Sequence, residues 1–168
     1  KRELNFSEWQ KVIDSIFRHS EKEGLKPQFV IWGGEPLLSS SFAKIAELLK
    51  SYGFETGLVT NGTLLKEFAP IINKNINVVY VSIDGPEEVH DHIRKRAGTF
   101  RKIAEGLEQI DSSKVTTVTL TTICKDNYKC LAALPEYIAE RLPIVDMMLY
   151  QNMIYVSPDD ARRQAIWS

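Results

Sequence analysis

Gln28-Phe29-Val30-Ile31-Trp32-Gly33-Gly34-Glu35-Pro36 is the stretch that decides the fold. A short apolar run that stops at two glycines reads as a buried strand of a parallel sheet, followed by a tight turn. The same pattern returns down the chain. Glu55 to Thr60 stops at Asn61-Gly62, and Val78 to Ile83 runs into Asp84-Gly85-Pro86. Val115 to Ile123 is rich in β-branched residues, and Ile144 to Tyr150 closes the series. Helical periodicity fills the gaps. Ser7 with Gln10 reads as a capping box, opening a helix to about Gly24 with Trp9 as core or staple. Ser41 reads as the cap of a second helix with Phe42, Ile45, Ala46 and Leu49 inward. A third covers Leu64 to Asn73, with Pro70 inside it. Glu87 to Gly98 is charged, a short helix plus a loop. Thr99 reads as the cap of a helix with Phe100, Ile103 and Leu107 inward, and the last helix spans Tyr128 to Arg141. Alternation of this kind implies an α/β fold, a parallel sheet with right-handed crossovers.

The 168 residues suit one domain with a sizeable core. Lysine plus arginine is 21 and aspartate plus glutamate 22, a net charge of −1 that favours neither nucleic acid nor an acidic membrane. No apolar run reaches the roughly 18 residues of a membrane span, and Lys1 to Lys11 has no signal-peptide core, so the expected location is cytoplasmic. Two cysteines, Cys124 and Cys130, are too few for a disulfide scaffold.

In parallel α/β folds the functional rim lies at the carboxyl ends of the strands. Here that rim collects Gly33, Gly34, Glu35 and Pro36, then Thr60, Asn61 and Gly62, then Ser82, Ile83, Asp84 and Gly85, then Thr121, Thr122 and Ile123. Glycines let a ligand approach the backbone, and helix-start amides bind anions. Ser82 and Asp84, two apart, are expected on one side of their strand, with Asp84 suited to ribose hydroxyls. The rim reads as a site for a zwitterionic or nucleoside-like ligand.

The ordered set Trp32-Gly33-Gly34-Glu35-Pro36-Leu37-Leu38, Val59-Thr60-Asn61-Gly62-Thr63 and Val81-Ser82-Ile83-Asp84-Gly85-Pro86 resembles the radical S-adenosylmethionine (SAM) superfamily, above all its peptide- and sulfatase-maturing subgroup. Glu88-Val89-His90-Asp91 with Arg94, and Gly98-Thr99-Phe100, extend the match, which spans Trp9 to Tyr150. The resemblance implies a partial (β/α)6-type TIM barrel over residues 1–150, with 151–168 starting a C-terminal segment. It also implies roles. Gly33, Gly34, Glu35 and Pro36 would bind the SAM amine through backbone oxygens, with Asn61 close by. Ser82 and Asp84 would contact the carboxylate or ribose. Arg94, with Arg96 as its rival, would meet the carboxylate, Ile123 the adenine face, and the backbone near Leu149 its edge.

The family's CxxxCxxC motif, which ligates a [4Fe–4S] cluster, is missing from the sequence; Cys124 and Cys130 cannot replace it. The family places that motif after the first strand and just before the first helix, a position that here precedes Lys1. The strands would then be numbers two to six of the barrel, and this chain alone would be inactive. The implied activity of the intact protein is that of an oxidoreductase in which the cluster reduces SAM to a 5′-deoxyadenosyl radical that takes a hydrogen atom from a peptide, protein or small-molecule substrate. An electron donor such as a flavodoxin or ferredoxin is implied as partner. Two other readings compete. One is a cluster-less SAM- or nucleotide-binding regulatory or scaffold module. The other is a phosphate-binding barrel fragment, disfavoured because no Gly-rich phosphate turn follows the last strands. A barrel lacking a strand exposes apolar edge, which predicts self-association.

Among the remaining candidates, His90 and His92 flank Asp91 and could bind metal, although they lie on a charged segment, and the basic patch of Arg94, Lys95, Arg96, Arg101 and Lys102 reads as a solvated face. Asp91 reads as a local cap or as a partner of Arg94 or Lys95. His19 reads as surface, and Cys124 as a buried small hydrophobe. A substrate-facing or auxiliary-cluster role for either cysteine is the sharper alternative.

Overall fold

The structure, a computed structural model, describes residues 3–152. It contains helices α1 (Phe6–Glu23), α2 (Phe42–Ser51), α3 (Leu65–Asn75), α4 (Glu87–Arg94), α5 (Thr99–Leu107) and α6 (Leu134–Arg141). Strands β1 (Gln28–Ile31), β2 (Glu55–Thr60), β3 (Val78–Ser82), β4 (Thr116–Ile123) and β5 (Met147–Asn152) lie between them. All neighbours pair in parallel, in the order β1-β2-β3-β4-β5. Crossovers of one hand, each stepping to the next strand, put the covering helices on one face. That face is the core. Leu58, Val79 and Val81 are fully buried there against Leu65, Ile103 and Leu107. A second cluster, Ile13, Ile45, Leu49 and Phe54, joins α1 and α2 to the edge of the sheet. The opposite face is open. By the register it carries Val30, Val59, Tyr80, Ser82, Leu120, Thr122 and Leu149, all half-buried or exposed.

Several local expectations change. The capping box is formed by Asn5 and Glu8, not Ser7 and Gln10. Asn5 Oδ1 accepts from the Glu8 amide at 3.0 Å, and a Glu8 carboxylate oxygen accepts from the Asn5 amide at 2.9 Å. Trp9 is 37% exposed instead of core. Among the described residues β1 is an edge strand, and its side chains are not buried as its apolar run suggested. Val30 is 57% exposed and Trp32 76%, because β1 has β2 on one side and the open face above it. An apolar run alone cannot tell these two settings apart. Ser41 and Thr99 do not cap. Ser41 makes no side-chain cap bond. Thr99 is the first residue of α5, and its hydroxyl donates to the Arg96 carbonyl. α6 starts at Leu134 rather than Tyr128, with Pro135 in its first turn, where a missing amide costs nothing. β5 starts at Met147 rather than Ile144. Asp146 sets its register, donating its amide to the Thr117 carbonyl and accepting the Thr117 amide on its carboxylate at 2.8 Å. The Ser157-Pro158-Asp159-Asp160 helix start lies outside the described residues.

The core face of β4 holds an anomaly. Thr117 and Thr119 are 0% exposed, and their hydroxyls find no partner among the described residues. A buried unpaired hydroxyl is costly, and a methyl of the same shape is not. Thr119→Val is therefore expected to stabilise the protein by about 1 kcal/mol, read as a higher urea midpoint.

Candidate functional site

The rim at the carboxyl ends of the strands is built from three linked turns. The first leaves β1. Gly33 (φ 117) and Gly34 (φ 45) take conformations that disfavour side chains, and a Cβ on either would have nothing within 4 Å. The turn is open on its outer side and pinned from beneath. Glu35 Oε1 accepts from the Leu37 amide at 3.1 Å and from Thr60 Oγ1 at 2.7 Å, and Oε2 accepts from the Asn61 amide at 2.7 Å. This one carboxylate caps the short 3-10 turn Pro36–Leu38 and ties the end of β1 to the end of β2. Together with Trp9 and Trp32 the turn lines an open cleft of about 430 Å³.

The second turn leaves β2. Asn61 Oδ1 accepts from both the amide and the hydroxyl of Thr63, at 2.9 and 2.7 Å, so its side chain shapes the turn. Gly62 (φ 78) follows; a Cβ there would lie 2.6 Å from Val81 and 2.8 Å from Ile103. Only glycine fits between β3 and α5.

The third turn leaves β3, which ends at Ser82. Ser82 is half-buried on the open face. Asp84, beyond the strand, is 2% exposed, and its Oδ2 lies 2.7 Å from Arg94 Nε. The two residues assigned separately to ribose and carboxylate are each other's partners. Asp84 meets Arg94 before it can meet a ligand. Arg94 keeps a third of its side chain exposed. Arg96 is exposed beside it. Ile123 ends β4 half-buried, at the register of core-facing Thr119 and Thr121, whereas Thr122 faces the open side and accepts from Gln151 Nε2 at 2.9 Å. Leu149, opposite Leu120, lies on the open face.

α4 supplies the lock behind the third turn. His90 is fully buried, and its Nδ1 accepts from the Asp84 amide at 3.2 Å. Burial pushes its imidazole below the ordinary histidine range; Asp84 pulls it up and Arg94 down. The unfolded chain therefore takes the proton first, and the fold loses stability as pH falls below about 6.5. Asp91 caps α5, as the local-cap reading expected, accepting from the amides of Gly98 at 2.5 Å and Phe100 at 2.9 Å. His92 is exposed, apart from His90.

Asn127, which the sequence reading passed over, closes the rim. Its Nδ2 donates to the carbonyls of Asp84 and Thr122, both at 2.8 Å, and its Oδ1 accepts from the Cys124 amide at 2.8 Å. The signal was a polar Lys125-Asp126-Asn127 run directly after a strand, the composition of a side-chain-bonded turn. Cys124 is buried; half-buried Cys130 bonds to the Asn127 carbonyl, and burial raises its thiol.

A singly wound parallel sheet with a glycine-rich rim is an α/β arrangement consistent with part of a (β/α) barrel. The family model of the Radical SAM superfamily matches residues 2–138, and the chain belongs to that superfamily. It is 24% identical over 157 residues to the Fe-coproporphyrin III synthase of Methanosarcina barkeri, covering 92% of this chain and 38% of that protein. It is 29% identical over 143 residues to the cysteine-type anaerobic sulfatase-maturating enzyme of Clostridium perfringens, covering 77% and 38%. The solved structure of native anSMEcpe with bound AdoMet and Kp18Cys peptide superposes with a TM-score of 0.63 at 24% identity, covering 76% of this chain and 38% of that one. The chain thus spans about two fifths of the length of these relatives. The fold is the expected α/β arrangement, consistent with part of a barrel. The superfamily implies a [4Fe–4S] cluster. Among the described residues no group of three His, Cys, Asp or Glu could hold a metal ion, so they do not fit one. Nor, among them, is any helix long and apolar enough to cross a membrane.

Proposed function

We propose that this chain is the SAM-binding core of a radical SAM oxidoreductase. The observation that carries this reading is the Gly33-Gly34 turn, open outward and held from behind by the three bonds to Glu35. Exposed backbone oxygens on a rigid turn suit an ammonium group, and rigidity lowers the cost of binding it. Ser82, on the open face, is placed for ribose hydroxyls or the carboxylate. Arg94, with one edge fixed by Asp84, presents the other to a carboxylate. Asn61 holds the neighbouring turn, and the Leu149 backbone on the open face bounds the adenine end, whereas Ile123, at the core-facing register, stands at the tip of β4 and not on that face. The chemistry that the family's cofactors supply when bound is one-electron cleavage of SAM and hydrogen-atom abstraction from a substrate. This chain's part is to orient SAM on the open face and to keep water from it. The peptide in the anSMEcpe structure supports a peptide or protein substrate, and a small molecule is the other class. A flavodoxin or ferredoxin is the fitting electron donor.

The second reading is a cluster-less SAM- or nucleotide-binding regulatory or scaffold module. The full-length gene product, purified anaerobically, separates the two. It is expected to carry iron and sulfide and to release 5′-deoxyadenosine when SAM and dithionite are added. SAM binding without iron after reconstitution would establish the scaffold, and no SAM binding would overturn both.

A further inference from the structure

The turn after β3 is held by a chain of three side chains. His90 Nδ1 accepts the Asp84 amide at 3.2 Å. An accepting Nδ1 leaves the ring's proton on Nε2, and that atom has no partner among the described residues although His90 is 0% exposed. The Asp84 carboxylate in turn grips Arg94 at Nε, 2.7 Å away. His90 and Arg94 are four apart on α4, so both fall on the face turned to Asp84. Arg94 meets Asp84 through Nε and keeps a third of its side chain exposed. The ring thus satisfies the buried Asp84 amide with one nitrogen and leaves the other unpaired, whereas an apolar side chain there would orphan the amide instead.

We propose that His90 is a positioning residue for Arg94, and through it for the carboxylate end of SAM, so that acid loosens SAM binding. This rests on the SAM reading above. A proton added to Nδ1 turns an acceptor into a donor that faces the Asp84 amide. Two donors cannot share that contact, so the turn must move. The Asp84 carboxylate travels with its backbone, or swings toward the new imidazolium; either way Arg94 loses its anchor. The charged groups facing His90 are Asp84 from the end of β3, and Asp91 and Arg94 from α4. Asp91 is already engaged in capping α5. From α5 the neighbour is the ring of Phe100, which packs edge-on at 6.1 Å and leads on to Tyr137 of α6. Tyr137 keeps its hydroxyl on the Glu87 amide.

The test is calorimetric titration of SAM into the full-length protein at about pH 7 and about pH 5, the lower value set at the bottom of the histidine range because burial holds the His90 imidazole low. In the wild type, affinity is expected to fall at least about fivefold at the lower pH. In His90→Asn, whose Oδ1 can stand where Nδ1 stands, that pH dependence is expected to vanish. His90→Leu, with no acceptor, is expected to bind more weakly at both. A wild-type affinity equal at the two pH values, or an equal fall in His90→Asn, overturns the inference and leaves the SAM reading standing. No binding at about pH 7 overturns the SAM reading itself. Should the variants fail to fold, nitrogen NMR of histidine-labelled wild type decides. A neutral ring with its proton on Nε2 at about pH 7, lost on acidification together with SAM affinity, supports the inference. A ring protonated on Nδ1 at about pH 7 overturns it.

Discussion

Asn127→Leu is expected to destabilise the fold by about 4 kcal/mol, a loss large enough to read directly from urea unfolding. The side chain is 0% exposed and makes three bonds of 2.8 Å. Leucine fills similar space but satisfies none of the groups left behind. The carbonyls of Asp84 and Thr122 and the amide of Cys124 would then be buried without partners. Each such orphan costs about 1 to 3 kcal/mol, more than the hydrogen bond itself is worth in net terms. The effect reaches the site as well. Asn127 is the strut between the turns after β3 and β4, so the rim would loosen on the side where Ile123 and Thr122 lie.

Arg94→Ala is expected to cost about 3 kcal/mol, and for a different reason. Asp84 sits 2% exposed, and removing Arg94 leaves its buried carboxylate with only a 3.4 Å contact from the Thr122 amide and no counter-charge. A pair with one exposed member is worth less than a fully buried one, which keeps the figure moderate. Unfolding of Arg94→Ala, Asp84→Asn and the double variant tests this as a cycle. The double variant is expected to be more stable than Arg94→Ala alone, because the stranded charge is gone. Equal stabilities would show that Arg94 contributes only its stem to the packing.

Much of the molecule was legible because its signals are local. β2 runs from Glu55 to Thr60 as read, since its apolar run and the Asn61-Gly62 stop lie within a few residues of each other. Phe42, Ile45, Ala46 and Leu49 are buried as their helical spacing required. Boundaries failed where two local signals competed. Asn5 and Ser7 are both good caps, and the helix took the one whose third neighbour, Glu8, could answer it. Tyr128 to Ala133 has helix-forming residues, yet Pro135 set the start of α6 instead.

What the sequence determined by itself is the alternation of strand and helix, the parallel sheet that alternation requires, and the glycine turns that mark one rim. Those depend on backbone preference and on periods of two and 3.6 residues, which neighbours in the chain decide. Only the tertiary structure showed how far the side chains of β1 are exposed among the described residues, since burial depends on what lies beside a strand. Only it showed that Glu35 reaches Thr60 and Asn61, that Asp84 belongs to Arg94, and that Asn127 bridges two strand ends. Those partners are brought together by the crossovers, and the choice among many polar residues on one rim is made by distance and by the cost of leaving a buried polar group unpaired.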